Sequence, residues 1–86
     1  MSDQNLTPEL TFGQKAAGVS FNPSKDPSVD KIKGLFAEII DLCHDEVESL
    51  HNGGDKNGDK RYYFNKAIAY AEDAQMNAVK AITWPH

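Results

Sequence analysis

One cysteine, Cys43, is all that this chain of 86 residues carries. That scarcity excludes an intrachain disulfide and any cysteine-built zinc site, and a lone thiol at an apolar helix position reads as a small buried hydrophobe in a reducing compartment. Basic residues are also in deficit. With a net charge of -4 the chain lacks the basic face needed to hold a DNA or RNA polymer. No apolar run approaches the ~20 residues that span a bilayer, and MSDQNLTPEL at the start has neither the basic nor the apolar region of a signal peptide. The expectation is a soluble, cytoplasmic protein with no membrane partner.

Catalytic patterns are missing too. There is no nucleophile motif, no phosphate-cradling glycine loop with lysine and no HExxH. Asp41, Asp45 and Glu46 read as ordinary solvation of a helix surface. Cys43 and His44 are adjacent, hence about 100° apart on a helix, and form no dyad. The reading is a non-enzyme without cofactor or metal.

What is present is helical. Residues 1–10 are polar and carry Pro8, which predicts a flexible end, and residues 11–85 read as a single helical-hairpin domain. Its arm spans 11–25. Thr11 to Ala17 suits a short helical turn that Gly18 breaks, and Val19 to Pro23 is expected to run extended ahead of the proline. Asp26 and Pro27 are a cap and a first helical residue. Val29, Ile32, Phe36, Ile39, Cys43, Val47 and Leu50 then recur at helical spacing, which predicts a helix over about 27–51. Leu35, Ile40 and Leu42 widen that stripe beyond what one partner helix covers. A loop at 52–59, rich in glycine, aspartate and lysine, leads to a second helix over about 60–84, stopped by Pro85. Phe64, Ala67, Ile68, Ala71, Ala74, Ala78, Val79 and Ile82 form its apolar face, and the alanines allow close approach of another helix. The fold class is therefore all-α: an antiparallel two-helix hairpin with a short N-terminal helical turn and an extended arm. Two helices bury too little surface alone, so a symmetric oligomer is expected.

Several residue groups carry chemistry. Asp55, Asn57 and Asp59 alternate like calcium ligands, but Lys60 and Lys66 occupy the EF-hand's glycine and glutamate positions, leaving a solvated turn. His44, Glu48 and His51 share a helix face in a spacing that suits a metal, although an acidic exposed face explains them as well. Arg61 opens the second helix, where an anion gains from free amides and the dipole, and Asn65 lies one turn on. Tyr62 and Tyr63 beside them read as base-stacking platforms or as core or interface aromatics. Gln75, if buried, needs a hydrogen-bond partner, and Trp84 reads as an interface anchor. The arm is richest. Phe12 and Phe21 offer stacking faces, Lys15 a charge, Ser20, Asn22 and Ser24 neutral donors, and Gly18 close backbone approach. Those groups suit a small phosphorylated, base-bearing ligand, yet Phe12 and Phe21 equally suit stapling the arm to the hairpin.

GVSFNPS at 18–24, VDKIKGLFAEIIDL at 29–42 and RYYFNKAIAYAEDAQMNAVKAITWP at 61–85 together resemble the short hairpin-domain proteins of phages that include anti-CBASS and Thoeris anti-defence sponges. The likeness covers residues from about 11 to 85. It implies non-enzymatic capture, in the host cytoplasm, of a cyclic di- or trinucleotide or a cyclic ADP-ribose-type signal. It also implies helical hairpins in symmetric oligomers, hexameric or dimer-based, with pockets between protomers. The pocket's aromatic and lysine would fall on Phe12 and Lys15, with Ser20, Phe21 and Asn22 lining the site. Lys33 and Arg61 would add phosphate contacts from a neighbouring subunit. Members of the family differ in the signal they bind. The rival reading is a small structural or protein-interaction hairpin that docks a host protein through its wide apolar stripe.

Overall fold

The computed structural model describes residues 9–50 and 54–85. Three helices follow in order: α1 (Phe12–Ala17), α2 (Pro27–Ser49) and α3 (Asp59–Ile82), with no strand among the described residues. The long helices pack against each other. Ile40 of α2 meets Ile68 and Ala71 of α3, and Val29 and Lys33 near the start of α2 share a pocket with Val79 and Thr83 at the end of α3. The hairpin is therefore antiparallel. The N-terminal tail before Glu9, the last residue of the expected first helix, His51, and the first part of the expected loop lie outside the described residues.

Local signals set the helix ends. Asp26 accepts from the Ser28 amide at 2.8 Å, and Pro27 occupies the first turn of α2. α1 has a reciprocal capping box: Thr11 Oγ1 accepts from the Gln14 amide, and Gln14 Oε1 accepts from the Thr11 amide. It ends at Gly18, whose φ of 67° is left-handed. The amides of Gly18 and Val19 reach back to the carbonyls of Lys15 and Gln14, completing a Schellman motif.

The arm departs from the extended run expected between Val19 and Pro23. Phe21 N–H donates to Gly18 O at 3.0 Å and Lys25 N–H to Asn22 O at 3.1 Å, so the segment makes two successive turns. The physical cause is Asn22. Its Oδ1 accepts from Ser24 Oγ and from the Lys25 amide, and its Nδ2 donates to Asp26 O and to Asp30 Oδ1.

The buried face of α2 also differs from the expected stripe. Val29, Lys33, Ala37 and Ile40 are buried, Ile40 completely, whereas Ile39 is 47% exposed. The reason is α1, which adds a helix to the hairpin pair. α1 lies along α2 and rotates its buried side toward Lys33 and Ala37. Gly13 makes this possible, since a Cβ there would sit 2.1 Å from Ala37 O. Asp41, read from sequence as a solvated acid, instead accepts from Thr11 Oγ1 and from the Gly13 amide, both at 2.7 Å. On α3 the buried residues are Ile68, Ala71 and Gln75, while Ala67 and Ala74 lie outside the core as exposed positions.

Candidate ligand pocket

Where the arm's two turns meet the start of α2 and the end of α3, a pocket of about 210 Å³ opens. Phe21, Asn22, Pro23 and Ser24 form its arm side, Val29 and Lys33 its α2 wall, and Val79 and Thr83 its α3 wall. Gly18 ends α1 and turns the chain so that Phe21 reaches Lys33.

Lys33 dominates the electrostatics. Its side chain is buried, at 6% exposure, and its Nζ donates to Gly18 O at 3.0 Å and to Phe21 O. The ammonium also lies 5.6 Å from the centre of the Phe21 ring. Among the described residues the ion pair present is Lys15–Glu9, so no described carboxylate neutralises Lys33. An ammonium has three donors, and two are spent on carbonyls. A buried cation without a counter-charge is costly, and an anion entering the site would relieve that cost. Phe21 contributes an aromatic ring, the residue being 67% exposed.

Not every residue expected in a site comes together here. Phe21, Asn22, Ser24 and Lys33 line the pocket, and Gly18 supplies a carbonyl to Lys33. The polar atoms of Asn22 and Ser24 are engaged within the loop, Ser24 Oγ accepting from the Asp26 amide at 3.1 Å while donating to Asn22. They shape the pocket wall instead of presenting free donors. Ser20 is exposed in the turn. Phe12 stacks on His44 with ring centres 4.1 Å apart and planes within 7°, beside the middle of α2. Lys15 points outward and pairs with Glu9 at 3.8 Å. Both therefore lie away from the pocket within one chain.

Arg61 and Asn65 stand farther off. Arg61 precedes Val79 by 18 residues of one helix, about 27 Å at 1.5 Å per residue. The α3 N-terminus already holds an anion: the amides of Lys60 and Arg61 donate to Asp55 Oδ1 and Oδ2 at 2.9 and 3.0 Å. Some desolvation pushes the Asp55 carboxyl up, but the hydrogen bonds from the Arg61 and Lys60 amides and the charges of those two residues hold it below the usual carboxylate value. Of the residues in the metal reading, His44 stacks on Phe12 and His51 lies outside the described residues.

Val29, Val79 and Thr83 were not expected at a site. Their spacing signals only an apolar helix face, and nothing local distinguishes a pocket wall from core. Comparison with protein-family models, curated proteins and solved structures returns no match. Among the described residues, no helix is long and apolar enough to cross a membrane.

Proposed function

We propose that this protein captures a small anionic, base-bearing signal of the cyclic di- or trinucleotide or cyclic ADP-ribose type and holds it without turnover, as a phage anti-defence sponge does. The observation that carries the reading is the buried Lys33 ammonium, lacking a described carboxylate and covered by an exposed aromatic ring. Such an arrangement accepts a phosphate against the cation and a base against Phe21. The resemblance of residues 11–85 to the phage hairpin-domain proteins supports it independently.

The pocket's size adds a condition. At about 210 Å³ it is smaller than the roughly 300–1,000 Å³ typical of pockets for whole drug-sized ligands. One chain thus offers part of a site, and two copies close on one ligand in a symmetric oligomer.

Thermal unfolding against a panel of cyclic di- and trinucleotides and cyclic ADP-ribose isomers tests this. Ligand at a hundred times its Kd adds about 2.7 kcal/mol, a rise on the order of 10 °C for a domain of this size. The matching signal is recovered unchanged, and Phe21→Ala loses most of the shift while keeping its own unfolding transition. Absence of a shift with every member of the panel would refute the proposal.

A second reading has an observation of its own. Leu35, Ile39 and Leu42 form an exposed apolar ridge along α2, at 51%, 47% and 68% exposure. That ridge suits docking of a host protein.

A further inference from the structure

The outward face of α3 carries a pattern that neither the hairpin core nor the pocket uses. Tyr63, Ala67, Tyr70, Ala74, Asn77 and Ala81 follow one another at alternating spacings of four and three, and Trp84, just past the last turn, continues them. Alternation of four and three is the heptad spacing of a helix–helix seam. All seven residues are exposed, the aromatics at 65%, 64% and 56%, while the core residues Ile68, Ala71 and Gln75 lie on a different side of the helix. No residue of this stripe is charged.

We infer that this stripe is the surface through which two copies of the chain pair, with their α3 helices antiparallel. The pattern is complementary to itself in that direction. Setting Ala74 against Asn77 of the second copy puts Tyr70 opposite Ala81 and Ala67 opposite Trp84. Tyr70, Asn77 and Trp84 then each meet an alanine, Tyr63 lying beyond the overlap, and alternating sizes interdigitate. A parallel pairing would stack tyrosine on tyrosine and alanine on alanine, leaving gaps beside crowded layers.

Charge selects the same register. Lys66, Asp73 and Lys80 flank the stripe on one side at seven-residue intervals. In an antiparallel pair these flanking positions face one another. The register above brings Asp73 of each copy to Lys80 of the other, giving two symmetric ion pairs. Sliding one helix along the other by one heptad toward full overlap would set Asp73 against Asp73 and Lys66 against Lys80. The lysines are already placed at the border, Lys80 Nζ 5.5 Å from the Trp84 ring and Lys66 Nζ 5.6 Å from the Tyr70 ring.

The seam is a contact separate from the ligand-sharing one proposed above, because Val79 and Thr83 of the pocket lie on the opposite side of α3, and ligand capture has its own readout. The test is sedimentation equilibrium at tens of micromolar, on the whole chain of 9.5 kDa protomers. The wild-type protein is expected to have at least twice the protomer mass. Ala74→Glu, which places a charge in the seam at an exposed site, halves that mass, and Ala69→Glu on the outer side of α3 leaves it unchanged. Circular dichroism of each variant checks that the helices remain. Asp73→Lys and Lys80→Glu each weaken association at least tenfold, and the two together restore it. A wild-type mass of 9.5 kDa would overturn both the oligomer and the seam. An oligomer indifferent to Ala74→Glu, or a charge-swapped double variant that stays weakened, would overturn the seam alone.

Discussion

All three helices of this protein begin under a carboxylate, and for α1 and α3 the carboxylates come from different distances. Asp55 caps α3 from within its own loop, taking the Lys60 and Arg61 amides. Asp41 serves α1 from the middle of α2, 28 residues after the Gly13 amide that it accepts. Both oxygens satisfy donors that a helix start leaves free. The local cap fixes only where a helix begins. The distant one also fixes where it lies, because α1 is too short to be stable unless docked. Tertiary placement of the arm, and hence of Phe21 over Lys33, follows from that second kind of cap.

The largest expected effect breaks the distant docking sterically. Gly13→Ala puts a methyl 2.1 Å from Ala37 O and 2.9 Å from the Asp41 carboxylate, against backbone that cannot yield. A loss of about 3 kcal/mol, or undocking of α1, is expected. Hydrogen exchange would show it as lost protection at Lys15 to Val19, with the hairpin amides retained.

Asp41→Ala removes the chemistry and leaves the space. Two charge-assisted hydrogen bonds disappear, for an expected cost of about 2 kcal/mol. Melting temperature should fall by roughly 10 °C. The same variant should weaken ligand binding, since the arm that carries Phe21 is then less firmly held, and an unchanged affinity would separate the arm from the pocket.

Asp55→Ala gives the smallest change and the one that depends on pH. The Asp55 carboxyl titrates below the ordinary aspartate value of 3.8 in the folded chain. Its contribution is therefore fully present above that value and is lost as pH falls through the lowered one. The melting-temperature gap between the wild type and Asp55→Ala should be constant from pH 7 to pH 5 and close at lower pH. A gap that persists under strongly acidic conditions would mean that charge at the cap is irrelevant.

How much could be read from sequence divides along the same line. Asp26 with Pro27, the stop at Gly18 and the turn before α3 are local signals, and the structure has helices where they place them. The choice between Ile39 and Ile40 was not legible, because periodicity gives the width of an apolar stripe and the docked arm decides its centre. Lys33 was expected to reach a phosphate from a neighbouring subunit, and its burial was not legible for the same reason: only the turn at Gly18 and Phe21 buries it. Gly13 and Asp41 carry no local mark at all, being a close approach and a cap defined across the fold. In the pocket, the arm residues Phe21, Asn22 and Ser24 stood out by composition, whereas Val29 and Val79 were indistinguishable from core. Phe12 and Phe21 looked equivalent in the chain. The structure gives them different neighbours, His44 for one and Lys33 for the other.

The most direct test of ligand capture is native mass spectrometry of the whole protein mixed with the signal that gives the largest thermal shift. Complexes with one intact ligand for every two chains are expected, the ligand leaving at its original mass and Lys33→Met greatly reducing its retention. Ligand-free protein throughout, or a signal released as a cleaved product, would contradict capture without turnover.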